Sequence, residues 1–253
     1  MFSRLDRLEL KFIVSSAQCE RLAALLGERL QGDPNLAGRS RYPVATLYFD
    51  SDDLRCYQER ILESPNRRKL RVRIYGSIHD ELPPAIFLEI KQNQNGRIGK
   101  RRMPISHAQW TQFGAQLEPR HLFDAPSSSP GQPSHPVLRE ARQLIDTFAM
   151  HPVCLVHYDR MALQGCGADE DVRVTIDSNL RYQPDPAGFW SNDCASEEPL
   201  LEPDRHLLEV KTTGTLPCWL AKVLNEEKCR VQSFSKYCRA VERRPRKEMT
   251  AHA

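Results

Sequence analysis

Along Lys69-Leu70-Arg71-Val72-Arg73-Ile74-Tyr75, cations and apolar residues alternate strictly, so an extended chain sends them to opposite faces. A helix would mix the two sets, whereas a strand must separate them. After an intervening segment, Ile86-Phe87-Leu88-Glu89-Ile90-Lys91 repeats the device, with Glu89 and Lys91 on one parity. One such strand would be read as an edge or solvent-facing strand.

The pattern recurs along the whole chain. Arg7-Leu8-Glu9-Leu10-Lys11-Phe12 opens it, with Arg7, Glu9 and Lys11 on one face. In the second half, Val153 to Arg160 sets Tyr158 and Arg160 together, Val172 to Asp177 sets Arg173, Thr175 and Asp177 together, and Leu207 to Lys211 pairs Glu209 with Lys211. Amphipathic helices lie between these strands. Ser15 and Gln18 form a capping box before Cys19, Leu22, Ala23, Leu26 and Leu30, and Asp52 to Leu62 reads as a short helix ending in the turn Ser64-Pro65-Asn66. Ser106 caps a helix carrying Trp110, Phe113 and Leu117, and Val137 to Phe148 forms another, as does a segment starting near Pro217. A further strand spans Val44 to Asp50, and Arg97 to Met103 returns as a hairpin partner.

Helices with apolar stripes can cover only the apolar face of such a sheet, which leaves the charged face to line an interior. The fold class is therefore α+β, a closed, curved antiparallel sheet with a polar lumen and helices outside. More than a dozen charges cannot sit in a dry lumen, so water, metal and an anionic ligand must share it. Arg supplies the planar fork that matches phosphate oxygens, and the expected ligand is polyphosphate-like.

Composition narrows the class. The 253 residues include 36 basic and 33 acidic ones, a net charge of +3 that does not announce a nucleic-acid binder. Locally, however, Arg55 to Arg73 holds seven cations against Glu59 and Glu63. No aromatic stacking platform accompanies the basic strands, so no nucleic-acid partner is expected. Eight cysteines without a CxxC pair, and an N-terminus without an apolar signal core, point to reduced thiols in the cytoplasm. No apolar run approaches the roughly 20 residues of a membrane span, so association with the inner face of a membrane would need a separate, membrane-embedded partner. Residues 1–242 are expected to form one domain, with flexible loops about 124–136 and 183–205 and a disordered basic tail over 243–253.

Nine short motifs stand in register with a known family. Arg7-x-Glu9-x-Lys11, Leu47-Tyr48-Phe49-Asp50, Tyr57-x-x-Arg60, Leu70-Arg71-Val72-Arg73-x-Tyr75, Leu88-Glu89-x-Lys91, Tyr158-x-Arg160, Arg173-x-x-x-Asp177, Leu208-Glu209-Val210-Lys211 and Phe234-Ser235-Lys236-Tyr237 resemble the VTC-type polyphosphate polymerase domain of the triphosphate tunnel metalloenzyme (CYTH-like) superfamily. The resemblance implies an eight-stranded antiparallel β tunnel and transfer of the ATP γ-phosphoryl group to a polyphosphate chain, with Mn2+ or Mg2+. It implies that Lys11, Arg60, Arg71, Arg73, Lys91, Arg160 and Lys211 grip phosphates, with Tyr158, Arg173, Ser235 and Lys236 adding contacts. Glu209 is implied as the metal ligand, and Glu9, Glu89 and Asp177 are weaker metal candidates on the same parity.

Two departures stand out. Ser233 replaces a lysine common in the family, so one phosphate contact is either missing or supplied by Arg230 or Lys228, and the turn at Ser64-Pro65-Asn66 is less glycine-rich. The alternatives are a metal-dependent tripolyphosphatase or nucleoside triphosphatase of the same fold, and a non-catalytic polyphosphate or inositol-phosphate sensor. Hydrolases of the superfamily typically open with Glu-x-Glu-x-Lys, and Arg7 occupies the first acidic position here, favouring the polymerase. His157 has the wrong parity for the lumen and is read as structural.

Overall fold

The structure, a computed structural model, describes residues 7–36, 38–76, 85–95, 97–116, 118–122, 135–186 and 197–244. Eight strands form the main sheet: β1 (Arg7–Ser15), β3 (Tyr42–Asp50), β4 (Asn66–Tyr75), β5 (Ala85–Gln94), β6 (Arg97–Ile105), β7 (His151–Gln164), β8 (Arg173–Gln183) and β10 (Arg205–Thr213). Every pairing is antiparallel, in the order β1-β10-β8-β7-β3-β4-β5-β6, and two short strands, β2 (Gln31–Gly32) and β9 (Glu198–Pro199), attach to β7 and β8. Among the described residues no backbone ladder joins β1 to β6. The curled sheet is bridged there by side chains, with Lys91 Nζ on β5 lying 3.6 Å from Glu9 Oε2 on β1.

Register confirms the charge parity. Tyr48 stands opposite Arg71, Arg71 opposite Glu89 and Glu89 opposite Arg102, so these side chains share the inner face. Arg160 opposes Asp177, while Lys211 opposes both Glu9 and Arg173. A bulge between β7 and β8 sets Asn179 and Leu180 against Tyr158 alone, with Asn179 at φ +52°. The extra residue resets the alternation, so Arg181 pairs with outward-facing His157 instead of entering the lumen.

Among the described residues six α-helices cover the outside: α1 (Ser16–Gly27), α2 (Arg55–Ile61), α3 (His107–Gln116), α4 (Pro136–Phe148), α5 (Cys218–Glu226) and α6 (Lys236–Arg243). The Ser15–Gln18 capping box forms as the sequence predicts. Its helix buries Cys19, Leu22 and Leu26 against Val174, Ile176, Leu208 and Val210 of β8 and β10, with Leu220 and Leu224 of α5 in the same cluster. A larger cluster joins β3, β4, β5 and β7 to Trp110 and Phe113 of α3, Val137, Ala141 and Leu144 of α4, and Tyr237 and Ala240 of α6.

Element boundaries differ in places from those read in the sequence. The short helix begins at Arg55, because Leu54 takes a left-handed φ of 56° just before it. α6 is absent from the sequence reading although Tyr237, Ala240 and Val241 stand at helical spacing, and it ends at Arg243, so that residue belongs to the helix and not to the tail. Residues 123–134, 187–196 and 245–253, which hold most of the expected loops and tail, lie outside the described residues, as does Leu117. The 183–205 segment is not wholly a surface excursion: Gln183 is buried at the end of β8, and Leu200 is buried and bonds through its N–H to Leu180 O. No helix among the described residues is long and apolar enough to cross a membrane.

Leu22 is fully buried between sheet and helix. Truncating it removes contacts on both sides, so Leu22→Ala is expected to destabilise the fold by about 3 kcal/mol. Denaturant unfolding that shifts by less than about 1 kcal/mol would contradict this packing.

Candidate functional site

The lumen contains a cavity of about 600 Å3. Ten cations line it (Lys11, Arg60, Arg67, Lys69, Arg71, Arg73, Lys91, Arg160, Lys211 and Lys236) against three carboxylates, Glu9, Glu63 and Glu209. Most arrive by strand alternation: β4 projects Arg67, Lys69, Arg71 and Arg73, β1 projects Glu9 and Lys11, and β10 projects Glu209 and Lys211. Two helices contribute from outside the sheet. Arg60 comes from the last turn of α2, while Ser235 caps α6 by accepting the Cys238 N–H at 3.3 Å and Lys236 is its first residue.

Two fully buried carboxylates underlie this wall of cations. Glu89 accepts from Arg71 Nε at 2.9 Å and Nη2 at 2.8 Å, with Arg73 Nε at 3.9 Å and Lys100 Nζ at 3.5 Å. Burial would raise its pKa, but Arg71, Arg73 and Lys100 outweigh burial and hold it down at about 2. Asp177 accepts both prongs of Arg160 at 2.7 and 2.8 Å and takes Lys236 Nζ at 2.6 Å. Burial opposes its ionisation too, yet Arg160 and Lys236 keep its pKa below the usual range. Neither of these weaker metal candidates lines the cavity, and both are ion-paired to its cations.

The other two carboxylates do face the cavity. Glu209 lies 3.1 Å from Lys211, 3.4 Å from Lys236 and 3.7 Å from Lys11. Burial pushes its pKa up, but Lys236, Lys211 and Lys11 prevail and hold it well below the carboxylate range. Glu9 stands 3.5 Å from Lys11 and 3.6 Å from Lys91, and those lysines with Lys211 likewise overcome its burial. Among the described residues no group of three or more His, Cys, Asp or Glu side chains converges. Glu209 and Glu9, both near Lys11 Nζ, offer the hard oxygen donors for an ion that shares its remaining positions with phosphate oxygens and water, the arrangement Mg2+ favours. The residues present therefore fit a divalent cation of that kind.

Of the sequence-predicted contacts, Lys11, Arg60, Arg71, Arg73, Lys91, Arg160, Lys211, Ser235 and Lys236 meet at the one cavity. Arg173 does not, because Asp33 holds it at 2.6 Å. Tyr158 lies behind the wall, its ring beneath Arg160 Cζ at 5.1 Å and Lys236 Nζ at 4.7 Å. It supports the cations by its π face and presents no hydroxyl to the cavity. Neither Arg230 nor Lys228 replaces the lysine missing at Ser233. Ser233 instead accepts from Arg60 Nη2 at 2.7 Å and so orients another cation. Lys69, Arg67, Asn93 and Tyr48 were not singled out as site residues, although they share inner-face parity with Arg71 and Lys91. Lys11 Nζ also donates to the Phe234 carbonyl at 2.9 Å, a backbone contact that no side-chain pattern signals.

Burial lowers the Lys91 pKa to about 7, with Lys11 and Arg71 adding repulsion and Glu9 opposing it. A bound polyanion restores the charged form, so binding of tripolyphosphate at pH 8 should take up a proton that Lys91→Arg does not. Calorimetry in buffers of different ionisation enthalpy measures this, and equal uptake by both proteins would contradict it. For Glu89, the folded pKa of about 2 lies below its ordinary 4.5. Its stabilising contribution is thus complete above about 4.5 and is lost as pH falls toward 2. Glu89→Gln, followed by denaturant unfolding across that window, should show a shallower loss of stability with acid than the parent protein.

Comparison with known proteins agrees with this geometry. The VTC domain family matches residues 6–243. Vacuolar transporter chaperone complex subunit 4 of Trypanosoma brucei brucei is 26% identical over 226 residues, which cover 79% of this chain and 28% of that protein. Subunit 2 of the same complex from Saccharomyces cerevisiae is 30% identical over 162 residues, 58% of this chain and 19% of that protein. The chain thus spans less than a third of the length of either relative. A Hippeastrum adenylyl-cyclase-like protein with a dominant triphosphatase activity shares the fold at a TM-score of 0.56 and 13% identity, over 93% of this chain and 94% of that one. With nearly the whole described fold inside the match, and its cation-lined cavity built from the matched strands, the chain belongs to the VTC domain family.

Proposed function

We propose that this protein is a polyphosphate polymerase that transfers the γ-phosphoryl group of ATP to the end of a polyphosphate chain. The observation that carries the reading is the cavity's ten cations against three carboxylates, an excess suited to a polyanion. The terminal oxygen of the acceptor chain forms a bond to the γ-phosphorus while the bond from that phosphorus to the β–γ bridging oxygen breaks, and ADP leaves. The acceptor oxygen is already ionised, so no general base is needed, and catalysis rests on alignment and charge neutralisation.

Arg71 and Arg73, fixed from behind by Glu89, present rigid forks to phosphate oxygens, and Arg160, held by Asp177, does the same across the lumen. Lys11, Lys91 and Lys211 act as point charges that follow the phosphates as the chain advances, while Lys236, held by Asp177 at 2.6 Å, is a fixed charge. Arg60, on α2, closes on the substrate from outside the sheet. Glu209, with Glu9 beside it, would hold Mn2+ or Mg2+, which when bound supplies neutralising charge to the transferring phosphates.

The curated relatives are named as subunits of a vacuolar transporter chaperone complex, which supports a protein that works with partner proteins; we place it in the cytoplasm beside a separate, membrane-embedded partner as part of the same proposal. Incubation with ATP and Mn2+, with products resolved by chain length, tests the reaction. Growing polyphosphate is expected, whereas free phosphate without chain products would replace the polymerase with a triphosphatase. Glu209→Gln should reduce turnover at least about 100-fold while keeping tripolyphosphate binding within about threefold, since it removes a metal ligand and no cation. Wild-type protein that binds tripolyphosphate but turns over no ATP would make it a sensor.

A further inference from the structure

Two motifs remain without a role in this scheme: Phe49-Asp50 at the end of β3, and Tyr237 after the Ser235-Lys236 pair. The fold brings them together. Asp50 is fully buried, and its Oδ1 accepts the N–H groups of Ser51 at 2.9 Å and Cys56 at 2.8 Å. Its Oδ2 accepts the N–H of Tyr57 at 3.2 Å and the hydroxyl of Tyr237.

Each contact has a physical reason. Leu54, which precedes α2 at its N-cap, offers no side-chain cap, so the first turn leaves N–H groups without acceptors in its own helix. Asp50 supplies them from the neighbouring strand and places a negative charge at the helix's positive end. The same carboxylate grips the second residue of α6. Tyr237 is further fixed by its ring, which packs on Tyr48 at 5.1 Å and lies 4.8 Å below Lys69 Nζ. One buried side chain thus ties the helix that carries Arg60 to the helix that carries Ser235 and Lys236, and all three of those residues face the cavity.

We infer that Asp50 is a positioning residue that, through Tyr237, sets the spacing of α2 and α6 across the cavity, and so determines how Arg60, Ser235 and Lys236 grip phosphate. The inference rests on the reading of the cavity as a polyphosphate site. Unlike Glu89 and Asp177, Asp50 forms no ion pair with a phosphate-facing cation among the described residues and acts through backbone N–H groups, the Ser51 hydroxyl at 3.5 Å and a tyrosine.

Isothermal titration with tripolyphosphate tests it, using Tyr237→Phe, which keeps the ring and removes the hydroxyl, and Asp50→Asn. Tyr237→Phe is expected to weaken binding about tenfold, the scale of one hydrogen bond to a charged group, while calorimetry shows a cooperative melt. Because part of the effect passes through Lys236, the loss caused by Tyr237→Phe should be smaller in the Lys236→Ala background than in the wild type. A role confined to stability would lower the melting temperature and leave the affinity of the folded protein unchanged. Equal affinity of Tyr237→Phe and wild type, or additive losses in the double variant, overturns the inference even if Asp50→Asn fails to fold. Absence of tripolyphosphate binding by wild type would remove the polyphosphate reading instead.

Discussion

A lumen lined with guanidinium and ammonium groups stands only if something negative lies behind it, and here Glu89 and Asp177 do so. Each is fully buried, each accepts at least two charge-assisted bonds, and each neutralises cations on more than one element: Arg71, Arg73 and Lys100 for Glu89, Arg160 and Lys236 for Asp177. Without them the arginines would repel one another in a poorly hydrated interior and swing toward solvent. With them, the forks are held in fixed orientations while their outer edges face the cavity. At both carboxylates the attraction of the cations outweighs the cost of burial, so the pairs stabilise the fold at neutral pH as well as orient the forks.

The remaining carboxylates divide the labour differently. Glu9 and Glu209 are partnered only by lysines, whose single flexible ammonium can be drawn away by a phosphate oxygen. A site with rigid, carboxylate-backed arginines and mobile lysines around two accessible carboxylates can take a polyanion and a hard cation together. Tyr158 strengthens the same wall from beneath by offering its π face to Arg160 and Lys236.

Much of this was legible in residue order. Strand alternation at Arg71, Glu89, Arg160, Asp177 and Glu209 assigned each to the inner face, because side-chain direction in a strand has period two whatever the neighbours are. The apolar spacing of α1 and α4 likewise placed those helices outside. Local pattern could not say which inner-face residues reach open space. Arg173 shares the parity of Lys211 but is captured by Asp33, 140 positions earlier in the chain, and Glu89 is covered by cations from β4 and β6. The bulge that turns Arg181 outward also escapes periodicity.

The sequence by itself determined that the strands carry charge inward and helices outward, since covalent geometry fixes side-chain alternation residue by residue. Only the tertiary structure decided which carboxylates face the cavity, that the Tyr158 ring lies against Arg160 and Lys236, and that Asp50 meets Tyr237. Those outcomes depend on distances between residues far apart in the chain, and such distances are set by sheet curvature, register and helix docking together.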